Sequence, residues 1–228
     1  MANVNRINGF SPVGYLNGAK YTGQARLYAI PTTDTTASYA IGDVVQSAGG
    51  SDADGILYIR KIPAAQASSA VVLGVVVGIR VADPGVSLVG TTLSLEQLYL
   101  NAGTRTNVRY VYVADDPNLL FEVSAGLTAT NFTAAKAGYN SGFGSYYSGA
   151  DQTYAIDQNA TVTTLSPSSP YSNMILPSST VATTNTLPVR MLGIAQRPDN
   201  AVGAYARMLC RFNNHEFGVA TGTNFTAI

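Results

Sequence analysis

The stretch RYVYVADDPNLLFEV, residues 109–123, decides the fold class of this chain of 228 residues. Residues 109–113 place β-branched and larger side chains in alternation, and this period of two predicts a β-strand with one face on a core. DDPN at residues 115–118 is a turn signal, and residues 119–123 then form a second apolar run. The stretch therefore predicts two strands joined as a β-hairpin.

The same alternation recurs along most of the chain and predicts an all-β protein. Residues 70–81 are dense in valine, as expected for a strand that is buried on both faces. Residues 93–100 fit either a strand or one helical turn, and residues 130–137 fit a short helix closed by Gly138. Further strands are predicted at residues 26–30, 41–45, 56–60, 187–196 and 204–212. These segments predict a β-barrel or a jelly-roll-like core.

Glycine and proline separate one core from two peripheral segments. Residues 1–23 carry regularly spaced apolar side chains, but glycines and a proline interrupt any long helix or strand there. Because such a segment cannot bury its apolar side chains locally, we expect an extended N-terminal arm that lies on another surface. The single β-rich core then spans residues 24–214, with an insertion at about residues 124–186, and residues 215–228 form a C-terminal tail.

The insertion is rich in Gly, Ser, Thr and Tyr and is almost free of charge. No charged residue lies within residues 158–189, and prolines exclude a helix there. A free domain seldom carries so long an uncharged loop, so we expect this segment to lie between subunits. The aromatic residues expected at that inter-subunit contact are Tyr139, Phe143, Tyr146, Tyr147 and Tyr171. Carbohydrate binding by residues 138–149 stays open beside protein contact.

Charge and cysteine content exclude several classes of function. Thirteen basic residues balance thirteen acidic ones, so no net field draws the chain to nucleic acid or to an anionic membrane. Charged residues make up only 11% of the chain, against a usual share of about 25%, which suits surfaces buried against a partner. The lone Cys210 lies in an apolar run, where we expect a small buried side chain. The sequence shows no signal peptide or transmembrane segment, which predicts synthesis in a cytoplasm.

Residues with catalytic chemistry are few and scattered. Asp115 and Asp116 precede a proline, which favours a turn over a calcium site. His215 is the only histidine, and no nucleophile motif accompanies it, so packing at an interface or edge is favoured over general-base catalysis. Residues 138–149 contain no lysine or arginine and do not form a phosphate loop. We therefore predict a protein that is not an enzyme, with no catalytic residue, cofactor or metal.

Four short motifs resemble those of a known family. They are NGFSPV at residues 8–13, LNGAKYTGQ at residues 16–24, GDVV at residues 42–45 and LGVVVG at residues 73–78. They are similar to motifs of the capsid cement, decoration or head-stabilising proteins of tailed bacteriophages. The similarity is firmest over residues 1–125 and thin from there to residue 187. The motifs are structural, and no active site is carried over from that family.

The resemblance implies a β-rich virion protein, commonly a homotrimer, on the outer capsid surface at junctions between subunits of the major capsid protein. It would be made in the host cytoplasm. Spacing and charge single out the residues expected to contact the capsid, which are Arg6, Phe10, Tyr15, Leu16 and Tyr21. The alternative interpretation is a tail, fibre or spike component whose tyrosine-rich insertion binds a host glycan.

Overall fold

The computed structural model describes residues 3–63, 66–80, 99–127, 133, 136–147, 150–153 and 171–218, with the backbone alone for residues 146–147 and 150–153. The strands, numbered in chain order, are β1 (Ser11–Tyr15), β2 (Arg26–Ile30), β3 (Tyr39–Ala40), β4 (Val44–Ser51), β5 (Leu57–Lys61), β6 (Gly74–Ile79), β7 (Tyr99–Leu100), β8 (Arg109–Ala114), β9 (Leu119–Ser124), β10 (Asn140–Ser141), β11 (Gly144–Tyr147), β12 (Ala150–Thr153), β13 (Met174–Ile175), β14 (Val189–Ile194) and β15 (Arg207–Phe212). One 3-10 turn lies at Ser178–Thr180. The all-β fold predicted from the alternating pattern is confirmed.

Five strands close into a barrel in the order β2-β5-β4-β6-β8. Neighbouring strands run antiparallel, except β2 and β5, which pair in parallel. Closure leaves the barrel without a free edge. The buried side chains of the barrel cluster include Tyr28, Ile30, Val45, Ile59, Leu73, Val76, Val111 and Val113. Of the two expected architectures the structure forms the barrel, since a jelly roll needs eight strands in two sheets.

A five-stranded antiparallel sheet, in the order β1-β9-β15-β14-β10, packs against one side of the barrel. Strands β4 and β6 belong to both cores: Val44 and Val75 face the sheet, while Val45 and Val76 lie in the barrel cluster. Burial on both faces is what the valine-rich sequence predicted for β6. Two smaller sheets, β12-β11-β13 and β3-β7, complete the described strands.

The predicted hairpin over residues 109–123 is wrong, although both of its strands exist. β8 pairs with β2 and β6 in the barrel, whereas β9 pairs with β1 and β15 in the sheet. The predicted turn at residues 115–118 therefore carries the chain from one layer to the other. Asp115 holds this corner, because its buried carboxylate accepts a 2.6 Å hydrogen bond from the Tyr28 hydroxyl.

Three of the sequence motifs meet where two backbone segments cross. The Phe10 amide donates a 2.9 Å hydrogen bond to the Gly42 carbonyl, and the Gly42 amide donates a 2.8 Å hydrogen bond to the Val76 carbonyl. Gly9 and Gly42 have φ angles of 69° and 95°, in the region that favours glycine. A Cβ on Gly9 would collide with the Gly42 carbonyl oxygen. Glycine at both positions thus allows the two backbones to touch.

Residues 3–23 do not form a free arm. β1 is the edge strand of the sheet and pairs with β9. Phe10 is only 1% exposed, and its ring centroid lies 6.4, 5.7 and 5.6 Å from those of Phe121, Phe143 and Phe212. The apolar side chains of this segment do need another surface, as predicted, but much of that surface is the body of the same chain.

The predicted boundary between the core and a C-terminal tail at residue 215 is also wrong. His215 is 3% exposed and forms a parallel bridge with Val72. The Glu216 carboxylate accepts a 2.7 Å hydrogen bond from the Ser47 amide on β4. Residues 215–218 therefore pack against the barrel, and residues 219–228 lie outside the described residues.

The described parts of the predicted insertion contribute to the core. Met174, Ile175 and Leu176 are fully buried, and the Leu176 amide donates a 3.0 Å hydrogen bond to the Ser124 carbonyl. Residues 174–176 of the uncharged segment therefore bury against their own chain rather than between subunits. The segment predicted as a strand or helical turn, residues 93–100, is described only at residues 99–100, which form β7. The short helix predicted at residues 130–137 lies mostly outside the described residues, as do residues 158–170 of the uncharged segment.

A buried ion pair joins the ends of β4 and β5. Lys61 Nζ lies 2.8 Å from Asp43 Oδ2, and the two side chains are 3% and 0% exposed. The same carboxylate oxygen accepts a 2.8 Å hydrogen bond from the Ala40 amide, while Oδ1 has no hydrogen-bond partner. Because neither charge reaches water, each depends on the other for its stabilisation.

Candidate interaction surface

A structured loop projects from the edge of the sheet directly after β1. Its exposed residues 16–20 fold back on the strand, where the Tyr15 amide donates a 2.9 Å hydrogen bond to the Ala19 carbonyl. The Leu16 amide donates a 3.0 Å hydrogen bond to the Asn118 carbonyl, which ties the loop to the turn between β8 and β9. The loop therefore presents its side chains on a hydrogen-bonded backbone.

Two tyrosines and a glutamine hold the second half of this loop. The Tyr15 hydroxyl donates a 3.1 Å hydrogen bond to Gln24 Oε1, and the Tyr21 hydroxyl donates a 3.0 Å hydrogen bond to the Gln24 carbonyl. Both rings are partly buried against the core. Burial, followed by the Asp116 carboxylate, raises the pKa of Tyr15, so its hydroxyl remains a donor at neutral pH.

Val13 and Leu16 add apolar area beside the tyrosines. Val13 lies where the register between β1 and β9 shifts, and a bulge on an edge strand aims a side chain outward. Leu16 is 44% exposed. This apolar area lies at a sheet edge, where proteins commonly join partners or guard against unwanted pairing.

A third aromatic residue, Phe217, extends the surface on the far side of Tyr15. Shallow grooves on either side of Tyr15 share Gln24 and Asp116, and one of them reaches Arg26 and Phe217. Phe217 is 49% exposed, and the Arg26 guanidinium carbon lies 5.6 Å from its ring centroid. We call this region the loop surface, comprising Val13, Tyr15, Leu16, Tyr21, Gln24 and Phe217.

The loop surface combines side chains of the kinds that are enriched in protein interfaces. Aromatic and aliphatic area alternates with hydroxyl and amide groups, a combination enriched in interfaces between proteins. The nearby charges of Lys20, Arg26, Asp115 and Asp116 sum to zero. Among the described residues, no group of three or more His, Cys, Asp or Glu side chains is arranged to hold a metal. No helix in the described ranges is long and apolar enough to cross a membrane.

Three of the five predicted capsid-contact residues, Tyr15, Leu16 and Tyr21, meet on the loop surface. Phe10 does not, and its prediction as a contact is wrong because the core leaves it almost no exposed area. Arg6 lies elsewhere, with its guanidinium 3.7 Å from the Asp199 carboxylate and both side chains exposed. The regular spacing of apolar side chains in residues 1–23 did not distinguish the buried ones from the exposed ones.

The predicted inter-subunit residues are likewise divided. Phe143 is fully buried beside Phe10, so its prediction as a subunit contact is wrong. Tyr139 is partly buried, with Lys136 Nζ 4.4 Å from its ring centroid. Tyr171 is exposed, and its role stays a prediction. The side chains of Tyr146 and Tyr147 lie outside what the structure describes.

Sequence reasoning missed Phe217, which it assigned to a tail. The only signal in the sequence is one aromatic residue directly after His215 and Glu216. Cys210, in contrast, is fully buried as predicted. Burial raises the pKa of its thiol, so it carries no reactive thiolate.

His215 is a neutral histidine enclosed between the barrel and the sheet. Its Nδ1 accepts a 3.1 Å hydrogen bond from the Phe217 amide, and its buried Nε2 has no hydrogen-bond partner. Burial lowers the pKa of His215 to about 4, with Asp115 and Asp116 opposing this shift and Arg211 adding to it. His215 was predicted to pack at an interface or edge, whereas the structure buries it within its own chain.

Acidification is expected to destabilise the fold through His215. The unfolded chain takes up a proton near pH 6.5, whereas the folded chain does so only near pH 4. The stability contributed by the neutral ring is therefore complete above pH 6.5 and is lost as the pH falls towards 4, to a limit of about 3 kcal/mol. Burial raises the pKa of Glu216, so protonation of that carboxyl opposes part of the loss at the acidic end.

Urea unfolding between neutral pH and about pH 5 measures this effect. The matched variant is His215→Asn, whose amide oxygen can replace Nδ1 as the acceptor for the Phe217 amide but does not titrate. We expect its free energy of unfolding to vary less with pH than that of the wild-type chain. Parallel pH profiles for the two proteins would contradict the assignment to His215.

Comparison with known proteins does not place the chain in a family. It matches no protein-family model, no curated protein and no solved structure. The functional interpretation therefore depends on the sequence motifs and on the geometry of the loop surface.

Proposed function

We propose that this chain is a virion structural protein that binds the outside of a bacteriophage capsid and stabilises contacts between subunits of the major capsid protein. The observation that carries the proposal is the loop surface: an ordered loop with exposed apolar and tyrosine side chains, encoded by one of the motifs that resemble cement proteins. Its first half is tied by backbone hydrogen bonds to the rest of the molecule, so it is pre-organised for contact.

The fold suits a mechanical role. The barrel and the sheet pack together through β4 and β6, which contribute side chains to both hydrophobic clusters, and their strands are joined by long-range pairing. A rigid body that carries a loop can bridge neighbouring capsid subunits. If several copies act together, as in a cyclic homotrimer, weak contacts combine through effective concentration into tight binding. Such bridging would resist the outward pressure of packaged DNA.

Copy number on the particle is the first test of this proposal. Quantitative mass spectrometry of purified virions gives the ratio of this chain to the major capsid protein. A shell-wide cement protein is expected at a ratio near one to one. Only a few copies of this chain per particle would contradict the proposal and favour the tail, fibre or spike alternative with its glycan-binding surface.

Leu16 gives a residue-level prediction within the proposal. Leu16→Ser removes exposed apolar area without touching the core, so binding to capsids that lack this protein should weaken by about tenfold, the effect of losing one energetically important contact. Co-sedimentation of the purified chain with such capsids measures the affinity. Deleting residues 1–23 is not a usable variant, because it would also remove β1 and Phe10 from the fold.

The matched control for this experiment is Leu57→Ser. Leu57 is 50% exposed but lies on β5 of the barrel, outside the loop surface. Its replacement should leave the affinity for capsids unchanged. If Leu16→Ser and the wild-type chain bound capsids with equal affinity, the assignment of the loop surface as a capsid contact would be wrong.

A further inference from the structure

The face of the main sheet that points away from the barrel carries an unusual arrangement of arginines. Burial alternates along β14 and β15, so that one set of side chains enters the core and the other set faces outward. The inward set comprises Val189, Met191, Met208, Cys210 and Phe212. The outward set comprises Arg190, Leu192, Arg207, Leu209 and Arg211.

Arg190 and Arg211 are direct cross-strand neighbours on this outward face. Like charges placed directly opposite each other destabilise a sheet. Within the described part of the chain, neither guanidinium is in an ion pair with a carboxylate. The described residues therefore give no carboxylate that compensates for placing these two charges together.

Arg207, at the other end of β15, is an arginine with structural contacts. Arg207 Nε lies 3.1 Å from Glu122 Oε1, and Arg197 also pairs with that buried carboxylate. Arg207 Nη1 donates a further 2.8 Å hydrogen bond to Asn8 Oδ1. Arg211 Nε donates only a 3.5 Å hydrogen bond to the neighbouring Phe212 carbonyl, so the guanidinium groups of Arg190 and Arg211 keep donors for a ligand.

Apolar area adjoins the two arginines. Leu192 lies two residues after Arg190 on β14, and Leu209 lies two residues before Arg211 on β15. The Leu192 side chain is exposed. These leucines line a pocket that Val202 and Met208 also border. A partner that fills the pocket and reaches both guanidinium groups needs an apolar side chain next to acidic groups.

We propose that this outward face docks a carboxylate-bearing surface of the major capsid protein, with Arg190 and Arg211 binding the carboxylates and Leu192 packing beside them. The inference depends on the proposed cement function and assigns it a second contact, separate from the loop surface. Arginine binds carboxylates through two parallel hydrogen bonds. Two arginines beside leucines on a chain of zero net charge fit an acidic protein better than nucleic acid, which requires a broad basic surface.

The arginine pair has the property expected of a binding site, since residues that break a local rule of stability are concentrated where function requires them. Arg190→Glu would place opposite charges across β14 and β15. This variant is therefore expected to fold with a melting temperature equal to or above that of the wild-type chain, while losing its contact with carboxylates.

The experiment is co-sedimentation of the purified full chain with capsids that lack it, alongside thermal unfolding of each protein. We expect Arg190→Glu to weaken capsid binding at least tenfold and Arg190→Gln, which only neutralises the charge, to weaken it less. Arg60→Glu is the matched control, because Arg60 is exposed on β5 of the barrel and should not affect binding. A 30-base-pair DNA duplex serves as the competing polyanion.

Three outcomes would overturn the inference. If the wild-type chain does not sediment with capsids, the proposed function fails and this contact fails with it. If the wild-type chain and Arg190→Glu bind equally well, the cement function stands but the sheet face is not part of the contact. If the wild-type chain binds the DNA duplex and Arg190→Glu does not, the arginine pair recognises phosphate rather than carboxylate.

Discussion

Phe10→Ala is expected to lower the free energy of unfolding by about 3–5 kcal/mol, the usual cost of emptying a buried phenylalanine site. The reason is the position of Phe10 at the centre of the larger core. Its ring packs edge-on to Phe121 and Phe143 and at a tilt to Phe212. Truncation removes these ring contacts and leaves a cavity that the paired strands around it cannot easily fill.

Urea unfolding at constant m-value measures this change, and Phe217→Ala is its matched control. Phe217 loses the same atoms, but it is half exposed at the loop surface and should cost less than about 1 kcal/mol. Phe10→Leu, which keeps most of the apolar volume, should retain both stability and capsid binding. If Phe10→Ala unfolded like the wild-type chain while capsid binding was lost, Phe10 would be a partner contact and its place in the core would be wrong.

Lys61→Met is expected to destabilise the fold by a similar amount, about 3–5 kcal/mol, because it leaves the buried Asp43 carboxylate without its counter-charge. The Ala40 amide still donates to Oδ2, but Oδ1 has no hydrogen bond even in the wild-type chain. Methionine matches the length of the lysine stem, so lost packing adds little. Lys20→Met, at an exposed position on the loop, should change stability by less than about 0.5 kcal/mol.

The double variant Asp43→Asn with Lys61→Met separates the cost of an unpaired charge from the contribution of the pair. Asparagine keeps an acceptor for the Ala40 amide and carries no charge, so the double variant should be more stable than Lys61→Met alone. A double-mutant cycle from urea unfolding gives the interaction free energy. Additive effects of the two substitutions would show that the 2.8 Å pair does not couple Asp43 to Lys61.

Most strands could be predicted from the sequence because alternation is a local property. The predicted segments at residues 26–30, 56–60 and 109–113 coincide with β2, β5 and β8 to within one residue. The Asp and Gly content of residues 52–55 is typical of a turn, and the Asp52 carboxylate accepts hydrogen bonds from the Asp54 and Ile56 amides. These features depend on neighbours along the chain, so a single sequence contains their signal.

Strand partners and the burial of glycine-flanked residues could not be predicted in the same way. The turn at residues 115–118 is compatible with a hairpin, yet competition from β2, β6, β1 and β15 separates β8 from β9. Phe10 follows a glycine within a segment that resembles a surface arm. Only the close crossing of Gly9 and Gly42 directs its ring into the core.

The sequence by itself determined the all-β class, the positions of most strands and turns, the buried Cys210 and three residues of the loop surface. The tertiary structure decided that Phe10 and His215 are buried in the body of the chain, that Phe217 joins Tyr15 at one surface, and that Arg190 opposes Arg211. The physical reason is that alternation specifies which face of a strand is apolar, whereas the identity of the covering surface depends on packing between residues far apart in the chain.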